Sequence, residues 1–344
     1  MPIENFAGLK EGENMKKTLY VFNDGEIKRK DNTLCFETNE GKKYFPIEDI
    51  NDIFIFGEVS LNKSLLEFMS QKEILLHFFN YYGYYTGTYY PREHYNSGYM
   101  ILKQAENYLD EDKRLLIASK FVEGSSKNIL NVIRYYKNRD KDLQHIEESI
   151  ISLQDRISCC TNIGELMGIE GNIRDIYYKG FNTIIDNDDF IFEQRTRRPP
   201  KNQLNAMISF GNSILYVLIL SEIYKTHLDP RIGYLHSTNF RRFTLNLDVA
   251  EIFKPIIIDR IIFTLLSKKM ITKNDFEEDL GGILLKEKGR KTFVQEFDKR
   301  LVTTIQHREL GRSVSYRRLI RLELYKLEKH FIGEASYEPY ISRW

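Results

Sequence analysis

Three polar positions in the second half of the chain are of types that do chemistry. Glu170 sits in Leu166-Met167-Gly168-Ile169-Glu170-Gly171-Asn172-Ile173-Arg174, and His236 closes Gly233-Tyr234-Leu235-His236. Asp248 and Glu251 share Leu247-Asp248-Val249-Ala250-Glu251-Ile252-Phe253-Lys254-Pro255. Each adjoins an apolar stretch, where an ionisable group is costly unless it is paired, hydrogen-bonded or metal-bound. Two or three carboxylates and one imidazole can together hold a divalent cation over a phosphodiester. Hard oxygen donors with a single nitrogen suit Mg2+ or Mn2+ better than zinc. Such an ion polarises the scissile phosphate and steadies the attacking and leaving oxygens.

Each position also has a plainer reading. Glu170 lies four residues before Arg174, the spacing of an ordinary helix-surface ion pair, and spacing alone slightly favours that pair. Gly168 and Gly171 flank it; glycine inside a helix costs about 1 kcal/mol against alanine, so the two suggest a close approach to the backbone there. His236 follows the turn-forming run Leu228-Asp229-Pro230-Arg231-Ile232-Gly233, and a lone loop histidine is most often a surface residue. Asp-x-x-Glu before an apolar run resembles a capping box. If Asp248 caps that helix, Glu251 is the better metal candidate.

Phosphate chemistry also needs cations. Arg195, Arg197, Arg198 and Lys201 surround Pro199-Pro200, and Arg241 and Arg242 follow His236 closely. Lys286, Lys288, Arg290 and Lys291 form a third group, and Arg317, Arg318 and Arg321 a fourth. Any one group is most simply a solvated face; four on one half of the chain suit a track for a polyanion.

The elements that must position these residues change character along the chain. Short β-type runs cover residues 18–22, 33–38, 43–45, 52–57, 74–79 and 84–90, with one helix over 61–71. Asn23-Asp24-Gly25 and Asn39-Glu40-Gly41 read as hairpin turns. From about Asn96 the apolar period is helical, with later helices over 140–157, 162–185, 201–227, 248–267, 290–308 and 313–332. The expected fold class is α+β: residues 1–14 a leader or extension, 15–95 a small β-rich domain, 96–344 a larger all-α domain.

The 344 residues are 42% hydrophobic and 13% aromatic, which describes a folded chain. A net charge of +1 neither announces nor excludes a nucleic-acid binder. Cys35, Cys159 and Cys160 make no disulfide framework or zinc pattern, and a reducing cytoplasm fits them. The N-terminus lacks an apolar signal core. The apolar stretch at 256–266 is broken by Asp259 and Arg260 and is too short for a bilayer, so no membrane partner is expected. No Gly-rich phosphate loop is visible.

The order and wording of the motifs resemble the CRISPR-associated endonuclease/integrase family of spacer acquisition, the Cas-one family, over nearly the whole chain from Met15. The carriers are Arg114-Leu115-Leu116-Ile117-Ala118 with Lys127-Asn128-Ile129, the Glu170 motif, Arg198-Pro199-Pro200, Asn205-Ala206 and Ser209-Phe210-Gly211. The His236 segment and the run from Asp248 to Pro255 complete the set. The resemblance implies metal ligands at Glu170, His236 and Glu251 with Asp248 as a supporting carboxylate, the choice between the last two remaining open. It implies DNA contacts at Arg197, Arg198, Arg241 and Arg242, a homodimer built through the β-rich domain, and assembly with the small Cas-two partner around a DNA duplex. The implied reaction is insertion of short foreign DNA into a CRISPR repeat array by transesterification, with hydrolysis when water attacks. Two other readings stand beside it. One is a DNA-binding scaffold whose carboxylates are only caps and ion pairs. The other is a phosphohydrolase of small nucleotides, which the arginine groups disfavour.

Overall fold

A computed structural model describes residues 16–91, 95, 97–238, 243–279, 281–307 and 310–343. The chain divides into two compact units, residues 1–94 and 95–344. The leader expected over 1–14 and the DNA contacts expected at Arg241 and Arg242 lie outside the described residues.

The first unit holds two four-stranded sheets. One contains β1 (Lys17–Val21), β5 (Ile50–Ile55), β7 (Leu75–Phe79) and β8 (Tyr85–Tyr89), in the order β1-β5-β7-β8. Its first three strands are parallel, and β8 returns antiparallel. The other runs β4 (Gly41–Pro46), β3 (Thr33–Thr38), β2 (Gly25–Lys30), β6 (Val59–Leu61). Helix α1 (Lys63–Gln71) starts where Asn62 accepts a hydrogen bond from the Leu65 amide at 2.9 Å. Leu65, Phe68 and Met69 of α1 share one core with Leu19, Ile53 and Leu76 of the first sheet and Ile27, Leu34 and Phe36 of the second.

The turn at residues 39–41 joins paired strands, with Thr38 opposite Gly41. The turn at 23–25 does not make a hairpin. Strand β1 leaves it to pair with β5 in one sheet, while β2 pairs with β3 in the other. An Asp-Gly turn directs the chain locally, but β1 finds its partner some thirty positions away through the apolar face of a parallel ladder.

The second unit is mainly helical. It comprises α2 (Gly98–Leu109), α3 (Glu111–Lys137), α4 (Gln144–Gln154), α5 (Ile163–Ile185), α6 (Gln203–Ile223), α7 (Leu245–Phe253), α8 (Arg260–Ser267), α9 (Glu287–Val302) and α10 (Tyr316–Phe331). It is not purely helical: β9 (Phe276–Asp279) pairs with β10 (Gly282–Leu285), and β11 (Thr304–His307) with β12 (Arg312–Ser315). The helix expected over 248–267 is interrupted by a π-helical turn, Pro255–Asp259, between α7 and α8. Proline has no N–H for the regular ladder, and the Asp259 amide instead reaches back five residues to the Lys254 carbonyl at 3.1 Å.

Helix α6 is long and apolar enough to cross a bilayer by composition, yet most of it is buried among other helices of this unit. Gly211 lets it come close to the π-helical turn, since a Cβ there would stand 2.6 Å from Ile258 Cγ2. Helix α2 buries Met100, Gln104 and Asn107 and leaves Leu102 and Leu109 exposed, so its inner face is partly polar.

Candidate active site

Glu170 and Arg174 lie one turn apart on α5, whose buried stripe is Leu166, Ile169, Ile173 and Tyr177. Asp248 and Glu251 lie on α7, which packs on α3 and α6. His236 lies on the turn that precedes α7.

That turn is fixed from three sides. The Asp229 amide donates to Gln104 Oε1 at 2.7 Å, and Gln104 Nε2 donates back to the Asp229 carbonyl at 3.2 Å. Gly233 sits so close to Thr244 that a Cβ would lie 2.7 Å from its carbonyl carbon. Asp248 then accepts hydrogen bonds from the amides of Tyr234 (2.5 Å), Leu235 (3.1 Å) and His236 (2.9 Å). Its Oδ1 also stands 2.7 Å from His236 Nδ1. Asp248 is therefore not a helix cap. It is a buried clamp on the preceding turn, and with the ring neutral its contact holds the proton on Nδ1 and leaves the Nε2 lone pair free. Burial pulls the imidazole pKa down, but the Asp248 hydrogen bond and charge outweigh it, and the net shift is upward.

Glu251 does not reach back to its helix start either, so the capping box is absent: Thr244 occupies the cap position, but its hydroxyl accepts from the Gly233 amide at 2.9 Å and donates to the Arg231 carbonyl at 2.8 Å instead of capping α7. The Glu251 carboxylate is clasped by two cations. Arg174 Nη2 lies 2.7 Å from Oε2, and Lys254 Nζ contacts Oε1. Burial alone would raise this carboxyl; Lys254 and Arg174 reverse that and hold it well below the carboxylate range. Glu170 Oε1 is 3.4 Å from Arg174 Nε, so the pair expected from spacing is present, but its arginine is buried and shared rather than a surface group. Burial, then the negative charge of Glu251, push the Glu170 carboxyl up against the pull of Arg174, Lys254 and His236. The structure thus brings Glu170, Glu251 and His236 into one electrostatic neighbourhood. Glu170 and His236 keep 20% and 30% of their side-chain surface accessible, which puts its open edge there. Among the described residues, no three His, Cys, Asp or Glu side chains have their donors already gathered as a metal-binding group.

Sequence reasoning missed one acid. Asp259, at the end of the π-helical turn, is 1% exposed, and its Oδ2 lies 3.9 Å from Arg174 Nη1. Burial pushes this carboxyl up to about 7 despite the nearby Arg174. The signal was a lone acid in an otherwise apolar run. The close approach expected at Gly168 and Gly171 is not made by this chain: among the described residues nothing lies within 4 Å of a Cβ built on either, and both face open space on the exposed side of α5.

The basic groups separate under the same inspection. Arg197 and Arg198 are exposed ahead of α6. Arg195 is turned inward, onto Asn205 Oδ1 at 2.9 Å and Ser209 Oγ at 3.0 Å. Arg290 is buried, and Arg317 and Arg321 are both held by Glu222.

The family model for "CRISPR associated protein Cas1" matches residues 19–299. The chain belongs to the Cas1 family. A CRISPR-associated endonuclease Cas1 of Thermodesulfovibrio yellowstonii is 61% identical over 330 residues, covering 96% of this chain and 100% of that protein. A solved Cas1 protein from Thermotoga maritima matches with a TM-score of 0.83 at 48% identity, covering 94% of this chain and 99% of that one. A chain of a Cas6-RT-Cas1–Cas2 complex shares the fold at a TM-score of 0.84 and 18% identity, over 98% of this chain and 37% of that one. The chain is accordingly an endonuclease and integrase of CRISPR spacer acquisition, built on an α+β fold with a β-rich N-terminal part.

Proposed function

We propose that Glu170, His236 and Glu251 hold one Mg2+ or Mn2+ ion, and that DNA cleavage and strand transfer share this single site. The observation that carries the reading is a pair of carboxylates from different helices clasping one guanidinium beside an imidazole that a buried aspartate already orients. The donor set fits a hard cation: two carboxylates and one neutral nitrogen. Two carboxylates sharing one buried space raise each other's cost of ionisation, and a divalent cation relieves that. Asp248 is assigned to positioning rather than to the metal, since its oxygens already serve three amides and the imidazole.

A divalent cation bound there supplies positive charge to the attacked phosphodiester and eases deprotonation of the nucleophile. The chain's own residues do the rest. Asp248 keeps the His236 ring in one tautomer and one orientation. The open space beside Gly168 and Gly171 leaves room for a backbone to approach Glu170. Exposed Arg197 and Arg198 give the incoming DNA its phosphate contacts, and Arg241 and Arg242 are assigned the same role from their sequence position. With the 3′-hydroxyl of a foreign fragment as nucleophile, the product is a spacer joined at the border of a CRISPR repeat; with water it is cut DNA. The likeness to a Cas1 chain assembled with Cas2 supports the small Cas2 protein as partner. The β-rich unit is proposed as the homodimer interface. Free cysteines at 35, 159 and 160 fit a reducing cytoplasm.

The test is purified protein with Mn2+ on branched and linear DNA. Glu170→Ala and His236→Ala are expected to abolish cutting and joining while DNA binding persists. Full activity in either variant would overturn the assignment in favour of a scaffold whose carboxylates only pair with Arg174 and Lys254.

A further inference from the structure

Arg174 is shared among three acids through three different nitrogens. Nε faces Glu170 Oε1 at 3.4 Å, Nη2 faces Glu251 Oε2 at 2.7 Å, and Nη1 faces Asp259 Oδ2 at 3.9 Å. Nη2 is further held by the Glu251 carbonyl at 3.1 Å and Ser125 Oγ at 3.3 Å. The third contact is the incomplete one. Neither Arg174 Nη1 nor Asp259 Oδ2 makes a hydrogen bond of ordinary geometry, although both atoms are buried, and the Tyr177 hydroxyl is a second polar neighbour of the Asp259 carboxyl. Native interiors rarely leave a donor and an acceptor facing each other about 1 Å beyond bonding distance.

We propose that Arg174 is the displaceable counter-ion of this site, and that Asp259 receives its guanidinium when a divalent cation engages Glu170 and Glu251.

The argument is one of charge and room. A divalent cation at Glu251 meets Arg174 on one oxygen and Lys254 on the other, and two fixed positive charges so close oppose its entry. Arg174 is buried, so it cannot retreat to water, and a buried guanidinium without an anion is strongly disfavoured. Asp259 is the anion placed to receive it, on the same guanidinium, and a small rotation completes the contact. The π-helical turn makes this possible: its wider winding swings Asp259 inward towards α5, where an uninterrupted α7–α8 helix would give position 259 a different bearing. Lys254 has a comparable second station, the face of Tyr216, whose ring centre is 5.0 Å from Nζ. Both cations on Glu251 therefore have somewhere to go. Asp259 is a positioning residue in this scheme, since it touches neither the DNA nor the ion.

This rests on the metal site proposed above, and its test separates the two. Mn2+ affinity is measured by titration calorimetry on the full chain as wild type, D259N, R174Q and the double variant, each checked for folding by its melting curve. D259N is expected to weaken Mn2+ binding about tenfold or more, the usual size of an outer-sphere loss. R174Q is expected to tighten binding, and adding D259N to R174Q to change affinity by less than about twofold, as for uncoupled sites. Equal affinity in D259N and wild type, or an equal loss in both backgrounds, overturns the hand-off while leaving the metal site intact. No Mn2+ binding by wild type overturns the metal site itself. Should D259N fail to fold, Mn2+-loaded crystals of the wild type decide: Nη1–Oδ2 is expected to close to about 2.8 Å, and a guanidinium still seated on Glu251 overturns the proposal.

Discussion

Glu222 and Glu251 are both buried carboxylates in the helical unit, 1% and 3% exposed, and both are bracketed by basic side chains. What is left over differs. Glu222 faces Arg317 Nε at 2.8 Å, Arg321 Nε at 2.6 Å and Lys225 at 4.0 Å, one carboxylate to three cations. The cluster ties α6 to α10, and among the described contacts its cations outnumber its acid. Glu251 shares Arg174 with Glu170 and Asp259, three carboxylates to the two cations Arg174 and Lys254. Its acids outnumber its cations, so burial and mutual repulsion hold Glu170 and Asp259 back from ionising, and a divalent ion relieves that. Burial and ion pairing look alike in the two places; the balance of acids against cations distinguishes a structural tie from a site that can accept metal.

The largest expected effect breaks the structural side. Glu222→Ala removes a buried acid from between two part-exposed arginines and should cost about 3 kcal/mol, the low end for a broken buried pair because both guanidiniums keep some solvent contact, a fall in melting temperature on the order of 10 °C. Nuclease activity per folded molecule should be unchanged. A melting temperature equal to wild type would remove the contrast altogether.

The converse substitution is Glu251→Gln. It should lower DNA cleavage about 10²–10³-fold, the usual loss when stabilisation of charge at the reacting centre is removed. Its effect on melting should be the smaller of the two, because Arg174 keeps Glu170 and Asp259, while Lys254 keeps the amide carbonyl that replaces Oε1 and the Tyr216 ring face. Cleavage assays and thermal denaturation on the same sample read both; retained cleavage or a collapse in stability like that of Glu222→Ala contradicts the comparison.

A smaller effect concerns which arginines meet DNA. Replacing exposed Arg197 or Arg198 by Gln should reduce the slope of log affinity against log salt by about 1 each. Arg321→Gln should leave that slope alone, since its guanidinium is spent on Glu222. Equal slopes in all three variants would remove the assigned DNA track.

The smallest involves Glu147, which joins α4 to α3 through Arg134 Nε at 2.7 Å and Lys137 Nζ at 2.8 Å. The Lys137 hydrogen bond, with help from Arg134 and against burial, holds its carboxyl below the usual range. A lowered acid contributes stability that is full above its unfolded pKa of about 4.3 and is lost as pH falls through the folded value. Glu147→Gln should therefore flatten the acid limb of stability below about pH 4.3, by no more than about 1 kcal/mol because both cations are partly solvated. An unchanged acid limb would show the pair to be idle.

The legible parts of this molecule are those whose signal is local. The stripe Leu166, Ile169, Ile173 marks α5 at its proper period, and Glu170 beside it stood out as a costly acid. Strands β9 and β10 fall in a stretch, 268–289, that the sequence leaves without an element, and β11 and most of β12 fall under the helices expected over 290–308 and 313–332, because strands of four residues carry too few positions to establish a period of two. Strand β2 reads Glu-Ile-Lys-Arg-Lys after its glycine and buries only Ile27, so it lacks an apolar face to recognise. The roles of Asp248 and Asp259 were hidden for another reason. Asp248 spends itself on amides thirteen residues or so upstream, and Asp259 matters only through an arginine on a different helix. Such roles depend on tertiary proximity, which one sequence does not display. Asp259 was visible only as an interruption in an apolar run.

The central claim is that Glu170, His236 and Glu251 close on one hard divalent ion. A crystal of the wild type grown with Mn2+ and measured at the manganese absorption edge tests it most directly. A single anomalous peak is predicted, bonded to a carboxylate oxygen of Glu170, a carboxylate oxygen of Glu251 and Nε2 of His236, with Asp248 still on Nδ1. A manganese-loaded crystal with no peak at this site, and with Arg174 and Lys254 unmoved on Glu251, would contradict the account.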